Sequence, residues 1–278
     1  MTPDRYGAAM RANVRGFLLS LIGVITISAV ALAAGSANPT GITTQRARAH
    51  PMRYHLALPS GWRADREWPV LFVIPDAARD FEANLALFVQ ARGDRPYILV
   101  APEVLSCGGA RSRTPDHYSY TRAEWDSLQS GDDFSFEDEG LAAVLADVHE
   151  RWHGDSRAFL TGWEAGGHTV WALALRHPER WRGVAPVTAN YQRRGATSAS
   201  ISRAPERTSL PIQPFRCGAR TGALADMMKA IDQQTALALS DARDHGFQPR
   251  PVQIVARADH SPLAATVLAW CDSLRHIR

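Results

Sequence analysis

Cysteine is scarce in this chain and never occurs at a spacing that binds metal. Cys107, Cys217 and Cys271 lie far apart in 278 residues, with no CxxC and no Cys/His motif. This pattern argues against a zinc site, and we expect no metal and no cofactor. In an exported chain, three cysteines are compatible with one disulfide plus one thiol, or with three buried free thiols.

The sequence also lacks a large excess of charge of either sign. Lysine plus arginine number 31 and aspartate plus glutamate 28, a net charge of +3, and the arginines are scattered rather than gathered in a basic stripe. A nucleic-acid partner is therefore not expected. There is no internal repeat and no sign of a second domain, while 45% hydrophobic residues can build one sizeable core.

A long hydrophobic run is found at the N-terminus. Arg5, Arg11 and Arg15 precede an uncharged apolar run at 17–34, and small residues follow at 35–37. This order is typical of an export signal. The run is also about 18 residues long, the lower limit for a membrane-spanning helix, so an uncleaved anchor is the alternative. Either way we expect an exported body, secreted, periplasmic or anchored, with membrane contact only through this segment.

Beyond this segment, short apolar runs alternate with helical patterns. The runs that predict strands occupy residues 52–59, 69–75, 97–103, 157–162, 181–188, 210–217 and 251–258. Several are continuously apolar, which is typical of strands covered on both faces of a parallel sheet. We predict a signal or anchor at 1–37, a linker at 38–51, and one doubly wound α/β domain at 52–278, its mostly parallel sheet flanked by helices on both faces.

Helical periodicity predicts helices through Leu141–Trp152 and Met228–Ala242, and a last one over 262–277. The acidic residues 137–139 are interpreted as a solvated helix start rather than a metal cluster. Asp226 is predicted to cap the second helix, and Gly246 to follow its end. The long connection at 104–136 carries Tyr118, Tyr120 and Trp125, which are expected either to line a pocket or to pack against the protein.

The segment LTGWEAGGH, residues 160–168, predicts a strand that turns sharply into a helix. This is the local architecture of a nucleophile elbow, in which a serine stands at the apex of the turn. The apex residue here is Glu164. Gly162, Gly166 and Gly167 suit the close approach of strand and helix that such a turn requires.

The sequence RAFLTGWEAGGHTVWALALRHPERWRGVAPV resembles the elbow region of α/β-hydrolase-fold esterases of the polyhydroxybutyrate depolymerase and feruloyl esterase kind. In that family a G-x-S-x-G-G segment is followed by an aliphatic helix, an HP pair and a strand similar to GVAPV. The resemblance extends from Met52 to the C-terminus and is strongest at 157–187 and 251–275. It implies an α/β-hydrolase fold and ester hydrolysis by a serine, a histidine and an aspartate.

For the other two triad positions, the resemblance implies a base but finds no aspartate at the position of the acid. His260 follows a strand directly and precedes the last helix, at the family's base position. The acid of the family's G-x-x-D turn is replaced by Thr221, and Asp226 is a substitute acid five residues on. The other acid position is empty, because no Asp or Glu lies between Glu179 and Glu206.

The resemblance also implies an oxyanion hole built from two backbone N–H groups. Ala165, after the apex, supplies the first. The second comes from the loop after the strand at 69–75, where the usual His-Gly is replaced by Pro75, Asp76 and Ala77. Pro75 has no N–H, so the donor is Asp76 or Ala77, and the Asp76 carboxylate brings an unfavourable negative charge.

Together these replacements predict that serine-ester hydrolysis has been lost. The expected function is the binding of a small molecule or a partner in the former active-site cleft. Two enzymatic alternatives remain. One is an esterase with a rearranged site, and the other is a hydrolase in which Glu164 acts as a carboxylate nucleophile assisted by His260.

Overall fold

A computed structural model describes residues 41–107, 115–128, 133–218, 223–256 and 261–275. These residues belong to one compact unit, Asn38–Arg278. The predicted signal or anchor lies outside the described residues, as do Thr221 and His260. Within the described ranges, no helix has both the length and the apolar character needed to cross a membrane.

Eight strands form one sheet in the described part of the chain. They are β1 (Ile42–Arg46), β2 (Arg53–Ala57), β3 (Val70–Ile74), β4 (Ile98–Pro102), β5 (Ala158–Trp163), β6 (Trp181–Val187), β7 (Phe215–Cys217) and β8 (Gln253–Val255). Their spatial order is β1-β2-β4-β3-β5-β6-β7-β8. The β1–β2 and β2–β4 pairs are antiparallel and all other pairs are parallel. The predicted mostly parallel sheet is confirmed.

The helices cover the sheet and bury its central strands. They are α1 (Phe81–Arg92), α2 (Arg122–Leu128), α3 (Asp133–Trp152), α4 (Gly166–Arg176), α5 (Ala223–Asp244) and α6 (Ala264–Arg275). Every residue of β3, β4 and β5 is buried, which explains their continuous apolar sequences. Helix α1 packs against α6, and an Asp138–Arg176 ion pair joins α3 to α4. The predicted α/β fold is therefore confirmed.

The linker predicted at 38–51 is wrong for residues 42–46, which form strand β1. This strand pairs with β2 in the register Ile42 to Ala57 and Arg46 to Arg53. Of its five residues only Ile42 is buried. An edge strand with so little buried surface carries no apolar alternation, so its sequence looks like a polar tether.

The interpretation of residues 137–139 as a solvated helix start is wrong for the position of the start and for Glu137, whereas Glu139 is exposed. Helix α3 begins earlier, at Asp133, so these residues lie in its second turn. The Glu137 side chain is completely buried. It lies four residues before Leu141 and therefore on the helix face that enters the core. Its carboxylate accepts a hydrogen bond from the Ser106 backbone N–H at 2.6 Å.

The three aromatic residues of the 104–136 connection pack together. Tyr118, Tyr120 and Trp125 are all buried, and the Tyr118 ring centroid lies 4.8 Å from Trp125 and 6.0 Å from Tyr120. The Tyr118 hydroxyl donates to the Val104 carbonyl at 3.2 Å. These contacts favour packing, although Tyr118 also lines a cleft described below.

Two further predictions concern helix α5 and the cysteines. Helix α5 begins at Ala223, so Asp226 lies inside its first turn and is not its N-cap. The start was misplaced because aspartate is a favoured N-cap residue, although Leu224 continues the apolar repeat one turn earlier. Gly246 does follow the helix end, at a φ of 86°. The cysteines at 107, 217 and 271 are buried and unpaired.

Candidate active site

The structure forms a sharp bend between β5 and α4, with Glu164 at its apex. Glu164 has a φ of 44°, in the left-handed region that non-glycine residues rarely adopt. Its side chain is half-buried. Left-handed backbone at a non-glycine residue costs about 1–3 kcal/mol and persists only where the surrounding structure enforces it. The strained backbone of a nucleophile elbow is therefore present, although the residue at its apex is a glutamate and not a serine.

Three glycines allow the strand and helix to approach. A Cβ atom on Gly166 would lie 2.2 Å from the Pro75 carbonyl oxygen, and one on Gly167 would lie 2.4 Å from the Ala189 Cβ. On Gly162 it would lie 2.4 Å from Val170 Cγ2. No side chain fits these gaps, so the glycines are explained by packing alone.

Backbone hydrogen bonds hold the apex against the loop after β6. The Glu164 N–H donates to the Val187 carbonyl at 3.3 Å, and the Glu164 carbonyl accepts from Asn190 N–H at 2.8 Å and Gly167 N–H at 2.9 Å. The carboxyl group thus belongs to a residue two positions before α4 begins at Gly166, near the positive end of the helix dipole. The position from which a serine would attack a substrate is therefore occupied by a carboxyl group.

The described residues bracket the other predicted triad positions without including them. The predicted acid position at Thr221 follows β7, which ends at Cys217, and the predicted base His260 lies between β8 and α6. Because β5, β7 and β8 are parallel, their carboxyl ends share one edge of the sheet with the elbow. Asp226, the substitute acid, is exposed in the first turn of α5. The roles of these residues stay predictions.

The loop after β3 is shaped by its own polar groups. The Asp76 carboxylate accepts from Ala78 N–H at 3.0 Å, and the Asp76 carbonyl accepts from Arg79 N–H at 3.2 Å. The guanidinium of Arg79, a residue only 2% exposed, donates to the Ala77 carbonyl at 3.2 Å. Among the described residues, the N–H groups of Asp76 and Ala77 donate to no acceptor. Both thus stay candidate oxyanion donors, beside a carboxylate.

Sequence reasoning missed a buried polar cluster behind the elbow. The Ser106 hydroxyl donates to Glu137, and it also hydrogen bonds with the Thr169 hydroxyl at 2.5 Å. Ser106, Glu137 and Thr169 each have no more than 1% exposure. The Ser106 hydroxyl is therefore buried and occupied by hydrogen bonds within the core. The position of Glu137 on the apolar face of its helix was the one available signal.

His168, in the first turn of α4, is the second residue that sequence reasoning missed. Burial, together with the positive charge of Arg194, lowers the pKa of His168 to about 4. Its Nδ1 atom is buried and has no hydrogen-bond partner in the described part of the chain. The imidazole is therefore neutral near pH 7 and contributes no charge behind the elbow.

A cleft of about 450 Å³ lies beside the loop after β3. Its lining includes Arg79, Tyr118, and a cluster in which Glu103 contacts both His55 and Ser119. The buried Glu103 carboxylate accepts from the Ser119 N–H at 3.0 Å and from the Ser119 hydroxyl, and lies 3.3 Å from His55 Nε2. The carboxylate stands between serine and histidine, whereas hydrolysis requires the imidazole in the middle. This cluster positions polar groups but does not activate Ser119.

No protein-family model and no curated protein sequence matches the chain. Solved structures do share its fold. Poly(aspartic acid) hydrolase-1 from Sphingomonas sp. KT-1 is 13% identical with a TM-score of 0.58, over 82% of this chain and 97% of that one. Siderophore hydrolase EstB from Aspergillus nidulans is 14% identical with a TM-score of 0.54, over 87% and 97%.

An S-formylglutathione hydrolase from Agrobacterium tumefaciens is likewise 14% identical with a TM-score of 0.52, over 84% of this chain and 92% of that one. The mostly parallel sheet, its flanking helices and the bend at Glu164 together define the class. The chain has the α/β-hydrolase fold. At these identities the similarity concerns the fold and not the reaction.

Proposed function

We propose that this protein is an exported, non-catalytic member of the α/β-hydrolase fold that binds a small molecule at the carboxyl edge of its sheet. One observation carries the proposal: Glu164 occupies the apex of the elbow. Acyl transfer at this point needs a hydroxyl or thiol that can lose its proton to a neighbouring base. A carboxylate provides neither, and loss of a nucleophile alone costs several orders of magnitude in rate.

Ser106, which contacts helix α4, and Ser119, which lines the cleft, do not replace the missing nucleophile. Ser106 is fully buried and hydrogen bonds with Glu137 and Thr169. Ser119 is exposed, but its hydroxyl donates to the Glu103 carboxylate, with no imidazole between them. Neither serine therefore has the accessible, base-activated hydroxyl that acyl transfer needs.

The binding part of the proposal depends on the cleft beside the loop after β3. Its volume of about 450 Å³ lies in the range of small-molecule sites. Glu103, His55 and Ser119 are held in fixed positions by their mutual contacts, so the polar groups are arranged before a ligand arrives. Export is supported by the basic residues and apolar run at the N-terminus.

Repair of the two missing triad residues tests the proposal. We expect the wild-type protein to be inactive on a short nitrophenyl ester, and the Glu164→Ser/Thr221→Asp variant to gain weak turnover. Thr221→Asp alone is the matched control, because it adds the acid while leaving Glu164 in place, and it should stay inactive. If the folded double variant is inert, the defect lies in the loop at Pro75 and Asp76, and Glu164 is not the decisive change.

Turnover by the wild-type protein would contradict the proposal directly. In that case Glu164→Gln separates the two enzymatic alternatives. Loss of turnover in this variant would identify Glu164 as a carboxylate nucleophile. Retained turnover would indicate an esterase that uses a rearranged site elsewhere.

A further inference from the structure

A second cleft lies at the opposite edge of the sheet and is rich in arginine. It has a volume of about 740 Å³. Its arginines come from four separate segments of the chain. Arg157 precedes β5, Arg182 lies at the start of β6, Arg250 precedes β8, and Arg275 ends α6. Because the central strands are parallel, their amino-terminal ends meet at this edge, away from the elbow.

The positive charges in this cleft exceed the negative ones. Four guanidinium groups share the lining with only two carboxylates, those of Glu67 and Asp155. Arg182 Nη2 lies 3.3 Å from the Asp155 carboxylate, so one carboxylate is engaged by one arginine. Glu67 is exposed to solvent. The lining therefore keeps a net positive charge at neutral pH, since arginine does not deprotonate in proteins.

Two of the arginines have no carboxylate partner in the described part of the chain. Arg157 donates to the Trp181 carbonyl, a neutral acceptor, and makes no ion pair there. The exposed Arg250 side chain has neither an ion pair nor a hydrogen bond within the same ranges, although its backbone N–H donates to Ile212 at 2.9 Å. Both guanidinium groups are therefore available to an anion from solution.

We infer that this cleft binds a multivalent phosphate-bearing anion. A guanidinium presents planar, paired N–H donors that match two oxygens of a phosphate group. Arginines on several elements around one cavity can contact more than one phosphate oxygen at once. The source of the phosphate is either a soluble phosphorylated compound or an anionic phospholipid headgroup. The inference does not depend on the proposed function, because the elbow and the cleft beside the loop after β3 both lie at the other edge of the sheet.

Pyrophosphate is the probe for a calorimetric titration of the full chain at constant ionic strength, which keeps screening equal in all samples. We expect saturable binding with a 1:1 stoichiometry. The Arg157→Ala/Arg250→Ala variant should bind at least about tenfold more weakly, since each arginine supplies charge-assisted hydrogen bonds. Arg63→Ala/Arg122→Ala is the matched control. It removes the same charge from two exposed arginines outside the cleft and should bind like the wild type.

Arg250→Glu is a second variant for the case in which loss of the Arg157 hydrogen bond impairs folding. Its side chain has no partner to lose among the described residues, and the reversed charge should abolish binding. Absence of saturable binding by the wild type would overturn the inference. Equal affinity in the folded Arg250→Glu protein would overturn it as well.

Sedimentation with lipid vesicles then distinguishes the two phosphate sources. We compare vesicles of phosphatidylcholine alone with vesicles of phosphatidylcholine and phosphatidylglycerol. Binding only to the anionic vesicles, lost in Arg250→Glu, identifies a lipid headgroup. Binding of pyrophosphate without vesicle binding identifies a soluble anion. Vesicle binding that Arg250→Glu retains would contradict a role of this cleft in lipid recognition.

Discussion

Replacement of His168 by leucine should reduce the sensitivity of the protein to acid. The side chain is only 6% exposed, and burial with the nearby Arg194 charge lowers its pKa from 6.5 to about 4. The unfolded chain therefore takes up a proton below about pH 6.5 that the folded protein does not accept. Stability falls as the pH falls through this window, and the full penalty is reached below about pH 4.

The size of this penalty follows from the shift in pKa. At about 1.4 kcal/mol per pKa unit, the imidazole lowers the free energy of unfolding by about 2 kcal/mol at pH 5 and about 3 kcal/mol at pH 4. Leucine at position 168 has no proton to gain and removes this contribution. On acidification from pH 7, the free energy of unfolding of the variant should therefore rise relative to that of the wild type by these amounts. This holds whatever the difference between the two proteins at pH 7.

Urea unfolding followed by tryptophan fluorescence at pH 7 and pH 5 measures the effect. His117→Leu is the matched control, because His117 is exposed and its replacement should leave the pH dependence unchanged. If the stability difference between His168→Leu and wild type is the same at both pH values, the imidazole titrates normally. Such a result would show that burial does not lower the pKa of His168.

Two further predictions concern the elbow, and both are measured by urea unfolding. Gly167→Ala should destabilise the fold by about 2 kcal/mol or more, because its Cβ would lie 2.4 Å from the Ala189 Cβ and 2.7 Å from Asn190 N. A neutral or stabilising effect, usual for this change in a helix, would contradict the packing. Glu164→Gly should be more stable than Glu164→Ala by about 0.5–1 kcal/mol, since only glycine relieves the left-handed φ. Equal stabilities would show that the apex is unstrained.

The central fold was predictable because burial leaves a direct mark on sequence. Strands β3, β4 and β5 are covered on both faces, so each is a continuous apolar run. The glycines around Glu164 predicted the bend, since strand and helix approach too closely there for any side chain. Edge strand β1 has one buried residue and gave no such signal.

The polar parts of the site were far less predictable. His55 and Glu103 meet because β2 pairs with β4 in an antiparallel register that aligns His55 with Ala101. Sequence patterns do not encode the register between distant strands. Ser106 and Glu137 are joined in the same way by tertiary packing, so a carboxylate that appeared solvated is buried. Contacts of this kind depend on how the helices and strands pack together, so the sequence alone does not predict them.

Labelling of the wild-type protein with a fluorophosphonate, followed by intact-mass analysis, tests the central claim most directly. The probe reacts with a serine hydroxyl that a neighbouring base has activated. With Glu164 at the apex, we predict that the mass remains unchanged. The Glu164→Ser/Thr221→Asp variant should acquire an adduct and so serve as the positive control. A stoichiometric adduct on a serine of the wild-type protein would contradict the account.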